Sequence, residues 1–432
     1  MPNGRRIPRG IEILGSAPKA FLAGTHRVIT PESTLARLLP LADRMGVTRI
    51  GNLTGLDVLG IPVCMACRPN SRSLAVFQGK GLTLPAAKAS ALMEAAEAYH
   101  AETIDAPLRF ASFEEISKQA TAIDPELLPR PRDSAAEAHT RILWIEGRDL
   151  ASGESISVPY EIVSADYAWP QPPEGAGFVA TTNGLGAGNH PLEAIAHGLY
   201  EAIERDSVTL WRLGGPSARA IRRIDPASID AAAVQQLIAR FERAGIHVGL
   251  WDATSDVEVA TIVCLALDDP DADAGSDPEL GAGCHPDREV ATLRAIMEAA
   301  QVRTTFIAGS RDDFEPSAFE RSRRRDRLEA ARTWSAGNAT RDWREIPTFS
   351  SEDVAGDLAE VLERLRCRGL DRVVWVDLAK PDLDLPVARV IVPGLEAPHQ
   401  VDARPLHRAR AVRKEPPVAR RPAEAASEVD EP

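Results

Sequence analysis

Three stretches of this chain repeat one plan, and that repetition constrains the fold more than any other feature. They are GKGLTLPAAKASALMEAAEAYHAE (79–102), GAGNHPLEAIAHGLYEAIERD (186–206) and GAGCHPDREVATLRAIMEAAQVR (281–303). Each opens on Gly-x-Gly and continues into a helical pattern. Glycine at such a junction permits positive φ and close backbone approach. Strand patterns surround these helices: TRIGNLT, IPVCMACRPN and SLAVFQGKG early, 246–252 and 258–267 in the middle, RVVWVDL and VARVIVPGLE late. A hairpin is expected over 141–165, turning at Ala151 to Gly153, and a further helix over 31–46. The fold class this predicts is α/β, with mixed sheets and three related strand–Gly-x-Gly–helix modules around a cleft where the helices converge.

Within each repeat helix, positions i, i+4 and i+7 stand out. They are Ser90, Glu94 and Glu97, then His197, Glu201 and Glu204, then Arg294, Glu298 and Gln301. At about 100° per residue each trio covers roughly 60° of helix surface. In the second helix Leu192, Ala196, Leu199, Ile203 and Leu210 form an apolar stripe and Glu193 joins the acidic side, so the helices read as amphipathic. A Glu pair on a helix ordinarily marks a solvated face. Exposed helices, however, interleave Glu with Lys, and like charges at this spacing cost about 0.2–0.5 kcal/mol per pair. The face bearing Glu193, Glu201 and Glu204 has no Lys, only His197 within it and Arg205 at its edge. Gathered carboxylates are what hard cations such as Mg²⁺ require. Residue pattern alone leaves the solvated face and the metal site both open.

Charge and composition exclude several classes. The net charge of −13 argues against broad nucleic-acid or anionic-membrane binding. No apolar h-region follows the N-terminal charges, and the longest apolar run, near 260–267, is far too short to span a membrane. Five cysteines, an odd number at low density, fit a reducing compartment, so a cytoplasmic location is expected. The Cys64–Cys67 pair supplies only two of the four ligands of a structural zinc site, and core packing is its expected role. His190 and His285 precede Pro and suit capping or turn roles as well as catalysis; His197 is expected to make a structural hydrogen bond. GLGAG (184–188) misses the spacing of a dinucleotide fingerprint, and no GxxxxGK[ST] occurs. Residues 310–350 read as a charged peripheral insertion, and DDPDADAGSDPE as an acidic loop. Residues 403–432, rich in Pro, Arg and Glu, read as a disordered tail.

Several runs resemble YcaO proteins: TGLDVLGIPVCMACRPNSRSLAVFQGKG, KASALMEAAEAYHAE, TTNGLGAGNHPLEAIAHGLYEAIERDS, LRAIMEAAQVR and VIVPGLEAPH. ExxER at Glu201, Glu204 and Arg205 is the most specific element, and the resemblance spans roughly 20–400 within a domain expected over 1–402. It implies an enzyme that binds ATP and Mg²⁺ without a P-loop and phosphorylates a backbone amide oxygen of a peptide or protein. Glu94, Glu97, Glu193, Glu201 and Glu204 would hold Mg²⁺ and the nucleotide, with Asn189 and Arg205 at the phosphates. Glu298, Gln301 and Arg303 belong to the third motif, and Lys80 and Ser90 fall on the nucleotide side. Catalysis would rest on Glu201, Glu204 and Arg205.

Two reactions compete within the resemblance. Azoline-forming members cyclise Cys, Ser or Thr, and many end in a proline-alternating C-terminus. This chain ends SEVDEP and is more similar to stand-alone members that make backbone thioamides with a TfuA-like partner and an external sulfur source. Outside that class stand a non-enzymatic peptide-binding adaptor of the same fold and an unrelated metal-dependent hydrolase. An adaptor has no need of an intact carboxylate set, and a hydrolase would not depend on ATP. A homodimer is the commonest assembly to expect.

Overall fold

Three antiparallel sheets organise the chain. A computed structural model describes residues 7–134, 136–168, 177–268, 278–314, 320–335 and 337–414, with backbone alone at 321–325. Arg49–Asn52, Val63–Cys67 and Val76–Lys80 form a meander. Glu279–Cys284, Thr261–Asp268 and Ile246–Asp252 form a second three-stranded sheet in that spatial order. The third sheet runs Leu108–Ala111, Ile142–Asp149, Val374–Asp377, Val387–Ile391, Leu185–Ala187, with Ser155–Pro159 also pairing on Ile142–Asp149.

Each repeat supplies the edge strand of one sheet and then a long helix. Val76–Lys80 leads into the first repeat helix, Leu84–Glu102; Leu185–Ala187 into the second, Pro191–Leu213; Glu279–Cys284 into the third, Arg288–Ala308. A side chain caps each start: Thr83, His190 and Asp287 accept from the backbone amides of Ala86, Leu192 and Glu289. These bonds satisfy amides that the first helical turn leaves without partners.

An equivalent glycine in each repeat lets the helix lie against its own strand. A Cβ at Gly79 would stand 2.0 Å from the Ala91 nitrogen and 2.4 Å from the Ala87 oxygen. At Gly186 it would meet the Ala194 oxygen at 2.4 Å and the Gly198 nitrogen at 2.8 Å; at Gly283, the Ala291 oxygen at 2.2 Å and the Ala295 nitrogen at 2.7 Å. The spacing is identical in all three, so Gly79, Gly186 and Gly283 are equivalent. The Gly281-x-Gly283 match is therefore out of register with the other two: its second glycine, not its first, is the counterpart. The three acidic trios keep step with these equivalent glycines.

The helices also join the modules. Leu84–Glu102 packs against Leu185–Ala187, Pro191–Leu213 against Glu279–Cys284, and Arg288–Ala308 against Val76–Lys80. Each helix thus touches the edge strand of the next module, and the ring closes. Being sandwiched in this way, the first and third helices are buried on nearly every side, with Ala87, Ala91, Ala95 and Ala291, Ala295, Ala299 fully enclosed. Amphipathicity was the wrong expectation for these two: small side chains let sheets approach on several faces.

Other expectations shift in detail. The helix expected over 31–46 is α-helical only over Pro31–Leu38, because Pro40 has no amide to donate into it. Helices Ala232–Arg243 and Val354–Arg366 lie in segments without an expected element. The acidic loop after Leu267 falls almost wholly outside the described residues. Within 310–350, Trp343 is buried and its Nε1 donates to Thr292 Oγ1 at 3.0 Å, so part of this insertion is anchored in a core. The tail does not begin at 403: His407–Arg413 is helical and buries Arg408 and Ala409. Residues 415–432 of the expected tail lie outside the described residues.

Gly79→Ala is expected to lower the midpoint of thermal unfolding sharply, with overpacking costing at least about 1–3 kcal/mol. Gly55→Ala, where a Cβ meets open space, should change it little. Differential scanning fluorimetry of the two variants checks the assignment.

Candidate active site

Ring closure brings the acidic positions of all three helices into one electrostatic neighbourhood. On the first helix, Glu94 accepts from the Gln78 amide at 3.1 Å. Glu97 reaches the next module and accepts from the Ala187 amide at 2.8 Å. On the second helix, Glu201 and Glu204 stand 3.4 and 3.8 Å from the Arg205 guanidinium. On the third, Glu298 and Gln301 both receive Lys80 Nζ, at 3.0 and 2.9 Å, and Gln301 Nε2 donates to the Gln78 carbonyl at 3.2 Å. Ser90 is half-buried one turn before Glu94.

The carboxyls titrate as a crowded, desolvated group. Burial pushes Glu94 up to about 7 against the pull of Lys80 and Arg311. Glu97 is raised well above the ordinary range, by burial first and then by repulsion from Glu201 and Glu94. Burial also raises Glu204, with Arg205 opposing it and Glu298 adding to it. Glu298 goes the other way: burial works against its ionisation, but Lys80 and Arg205 outweigh it. Glu204, Glu201 and Glu298 together hold the Arg205 guanidinium firmly protonated despite its burial.

Two expected site residues have partners elsewhere in the chain. Glu193 is almost fully buried and both its oxygens are engaged: one accepts from the Val28 amide at 2.6 Å, the other from the Asn189 amide at 2.7 Å. It ties the segment before the Pro31–Leu38 helix to the start of the second repeat helix. Asn189 Nδ2 joins the same tie, donating to Thr34 Oγ1 at 3.0 Å and to Glu193 at 3.3 Å. Arg303 is also displaced from the site. About 140° round the helix from Glu298, it binds Asp57 at 2.9 Å and Asp268 at 2.6 Å.

Two cations escaped sequence reasoning. Arg27 interacts with Glu193, Glu97 and Arg294, and burial lowers its pKa. Arg294 acts on Glu204, Glu298 and His197. Its position in the third trio, matching Ser90 and His197, was the available signal; nothing in GTHRVIT marked Arg27. His190 and His285 cap turns, accepting from the Leu192 and Asp287 amides. The hydrogen bond expected of His197 is missing at Nδ1, which is buried without a partner among the described residues. Burial and then Arg294 keep this ring neutral. Cys64 is fully buried in the core, as its expected packing role requires.

Among the described residues no three acidic, histidine or cysteine side chains gather tightly enough to hold a metal alone. That arrangement still suits Mg²⁺, which is ordinarily held by one or two carboxylates together with phosphate oxygens. Carboxyls forced above their usual range by burial and mutual repulsion are groups a cation would satisfy.

A family model described as YcaO cyclodehydratase, ATP- and Mg²⁺-binding, matches residues 78–396. An uncharacterized protein in the tfuA 3′ region of Rhizobium leguminosarum bv. trifolii is 38% identical over 396 residues, covering 89% of this chain and 93% of that protein. YcaO from Methanopyrus kandleri, solved with AMPPCP and Mg²⁺, superposes with a TM-score of 0.71 at 26% identity, over 88% of this chain and 94% of that one. A heterocyclase solved with substrate and cofactor superposes at 0.74 with 24% identity, and shares the fold over 89% of this chain and 54% of its own, longer one.

The raised carboxyl at Glu94 has a signed consequence. Its folded pKa lies above its unfolded one, so its contribution to stability is full below about 4.5 and is lost as pH rises through about 7. Glu94→Gln, which stays neutral, should therefore gain on the wild type in unfolding midpoint by a few degrees between pH 5 and pH 8. Saturating Mg²⁺ and ATP should close that gap, and parallel thermal melts measure both effects.

Proposed function

Because this chain belongs to the YcaO family, whose members bind ATP and Mg²⁺, we propose that it phosphorylates a backbone amide oxygen of a peptide and replaces that oxygen with sulfur, working with a TfuA-like partner. One observation carries the reading: carboxylates from three separate helices gather with Arg205 and Lys80 in a desolvated cluster. The relative in the tfuA 3′ region favours thioamide formation over cyclisation. All five cysteines are free, in keeping with a reducing cytoplasm.

Glu94, Glu97, Glu201 and Glu204 are the residues we assign to Mg²⁺. Bound Mg²⁺–ATP would supply the phosphoryl group and neutralise the charge that gathers on it. The protein's own part is positional. Arg205 is locked by Glu201 and Glu204 and presents a planar donor fork of the kind that suits phosphate. Lys80 is pinned between Glu298 and Gln301, so its charge stays at the mouth of the acidic cluster. Glu204 is 3% exposed, and at that depth water is excluded, which limits idle hydrolysis.

Glu201→Gln and Glu204→Gln should each reduce peptide-dependent ATP turnover at least about a hundredfold with little change in circular dichroism. Full turnover in both folded variants would reject their role. Incubating the protein with a TfuA-like partner, peptide, ATP and sulfide should give a product in which one oxygen is exchanged for sulfur. A product lighter by one water, read by the same mass spectrometry, would assign cyclodehydration instead.

A further inference from the structure

The acidic face of the second repeat helix does not end at Arg205. Glu201, Arg205, Thr209 and Arg212 follow at helical spacing, so one stripe continues beyond the carboxylates. Thr209 and Arg212 line a cavity of about 440 Å³ whose other wall is residues 396–405 with Ala409 and Arg413. That volume is within the range of sites that enclose small ligands or side chains. His399 lines the same cavity, and its pKa is pushed down to about 4 by burial, then by Arg212 and Arg205. Arg205 is thus close enough to act on a residue of the cavity wall.

The lining is cationic and its carboxylates are engaged. Glu396 accepts from the Leu406 and Ala409 amides at 2.9 and 2.7 Å, and Asp402 pairs with Arg132. Arg212 has no ion pair among the described residues, and its buried Nε has no hydrogen-bond partner. It packs on the same indole as a second arginine: Arg212 lies 5.3 Å and Arg219 4.9 Å from the Trp334 ring centre. Burial and then Arg219 lower the Arg212 pKa, and no carboxylate acts on it. A desolvated guanidinium beside another, with open space in front of it, is a seat for an anion.

The far wall is fixed in advance. Arg408 donates to Asp206 through Nε and Nη2, at 3.0 and 2.9 Å, and to Asp256 at 2.6 Å. Asp206 is fully buried and directly follows Arg205, so the C-terminal segment is bolted to the same helix that carries the stripe. Little ordering is left for a ligand to impose.

We propose that this cavity is a subsite for an acidic residue of the peptide substrate, flanking the amide that is phosphorylated, with Arg212 as the group that recognises its carboxylate. The inference rests on the peptide-activating reading above. The cavity is roomier than a lone phosphate needs, and the nucleotide is already provided for at the carboxylate end of the stripe. A side chain with its flanking backbone fits both facts.

The test uses the full chain and two fluorescein-labelled Gly/Ser decapeptides, one with a central Asp-Glu pair and one with Asn-Gln, followed by anisotropy. The acidic peptide should bind about tenfold or more tightly than the neutral one. Arg212→Gln should abolish that preference, and Arg212→Lys should keep part of it. Equal binding of both peptides, or an unchanged preference in a folded Arg212→Gln variant, would overturn the proposal. Complete displacement of the acidic peptide by millimolar inorganic phosphate would also overturn it, in favour of a phosphate subsite. Calorimetry with Mg²⁺–AMPPCP separates the two readings. Loss of nucleotide binding in Arg212→Gln alone would move Arg212 into the nucleotide site and sink the proposal. Failure of the wild type to bind nucleotide would count against the reaction, while an Arg212-dependent preference would still support the cavity.

Discussion

Close contact between helix backbone and strand backbone is the constraint from which the rest of the site follows. At Gly79, Gly186 and Gly283 the helix comes so near its own strand that no side chain fits between them. Only at that distance can the helix's other flank reach the neighbouring module's edge strand. The reach is visible at Glu97, which bonds to Ala187, and at Gln301, which bonds to Gln78. Equivalent positions on two helices thus make the same kind of inter-module bond. Glu204, the third equivalent, acts on Cys284 in the remaining module.

Such a ring concentrates negative charge where it is least tolerated. Desolvation is the largest influence on Glu94, Glu97 and Glu204 alike, and like-charge repulsion adds to it. The fold accepts the penalty because cations are interleaved with the acids. Lys80 comes from an edge strand, Arg205 and Arg294 from helices, and Arg27 from the segment ahead of the first sheet. Their placement leaves Glu298 ionised while Glu97 is driven toward its neutral form. Carboxyls in such contrasting states within one pocket are common at functional sites and unusual on ordinary surfaces.

How much of this was legible depended on whether the information was local. The trios could be read because helical periodicity and a shared glycine lead are properties of a short window. The Gly-x-Gly match in the third repeat was out of register, because Gly281 also packs on the helix backbone and only the spacing of those contacts identifies Gly283 as the counterpart. Arg303 sits two residues from Gln301 in sequence yet binds Asp57 and Asp268, because two residues turn a helix to another face. Glu193 matched the acidic pattern, but its bond to the Val28 amide was not legible, because Val28 is far away in the chain. The C-terminal boundary failed for a related reason. Composition reported the charge of HRARAVR, not the buried Asp206 that receives one of its arginines.

That last pairing says something about why the C-terminal segment is built as it is. A buried ion pair is weak as a source of stability, because desolvating both charges offsets much of their attraction. Breaking it is another matter: Asp206 has no exposure, and without Arg408 its charge would be stranded. The pair therefore acts as a latch with a steep penalty for opening. Glu396 reinforces it from within the C-terminal segment by capping the turn into His407–Arg413, while its own amide donates to Asp206 at 3.0 Å. The second repeat helix is thus held by two buried carboxylates, Glu193 near its start and Asp206 past its midpoint. Between them lie Glu201, Glu204 and Arg205. A helix clamped on both sides of this acidic stretch is kept from sliding or rolling, so Glu201, Glu204 and Arg205 hold their mutual geometry before any ligand arrives.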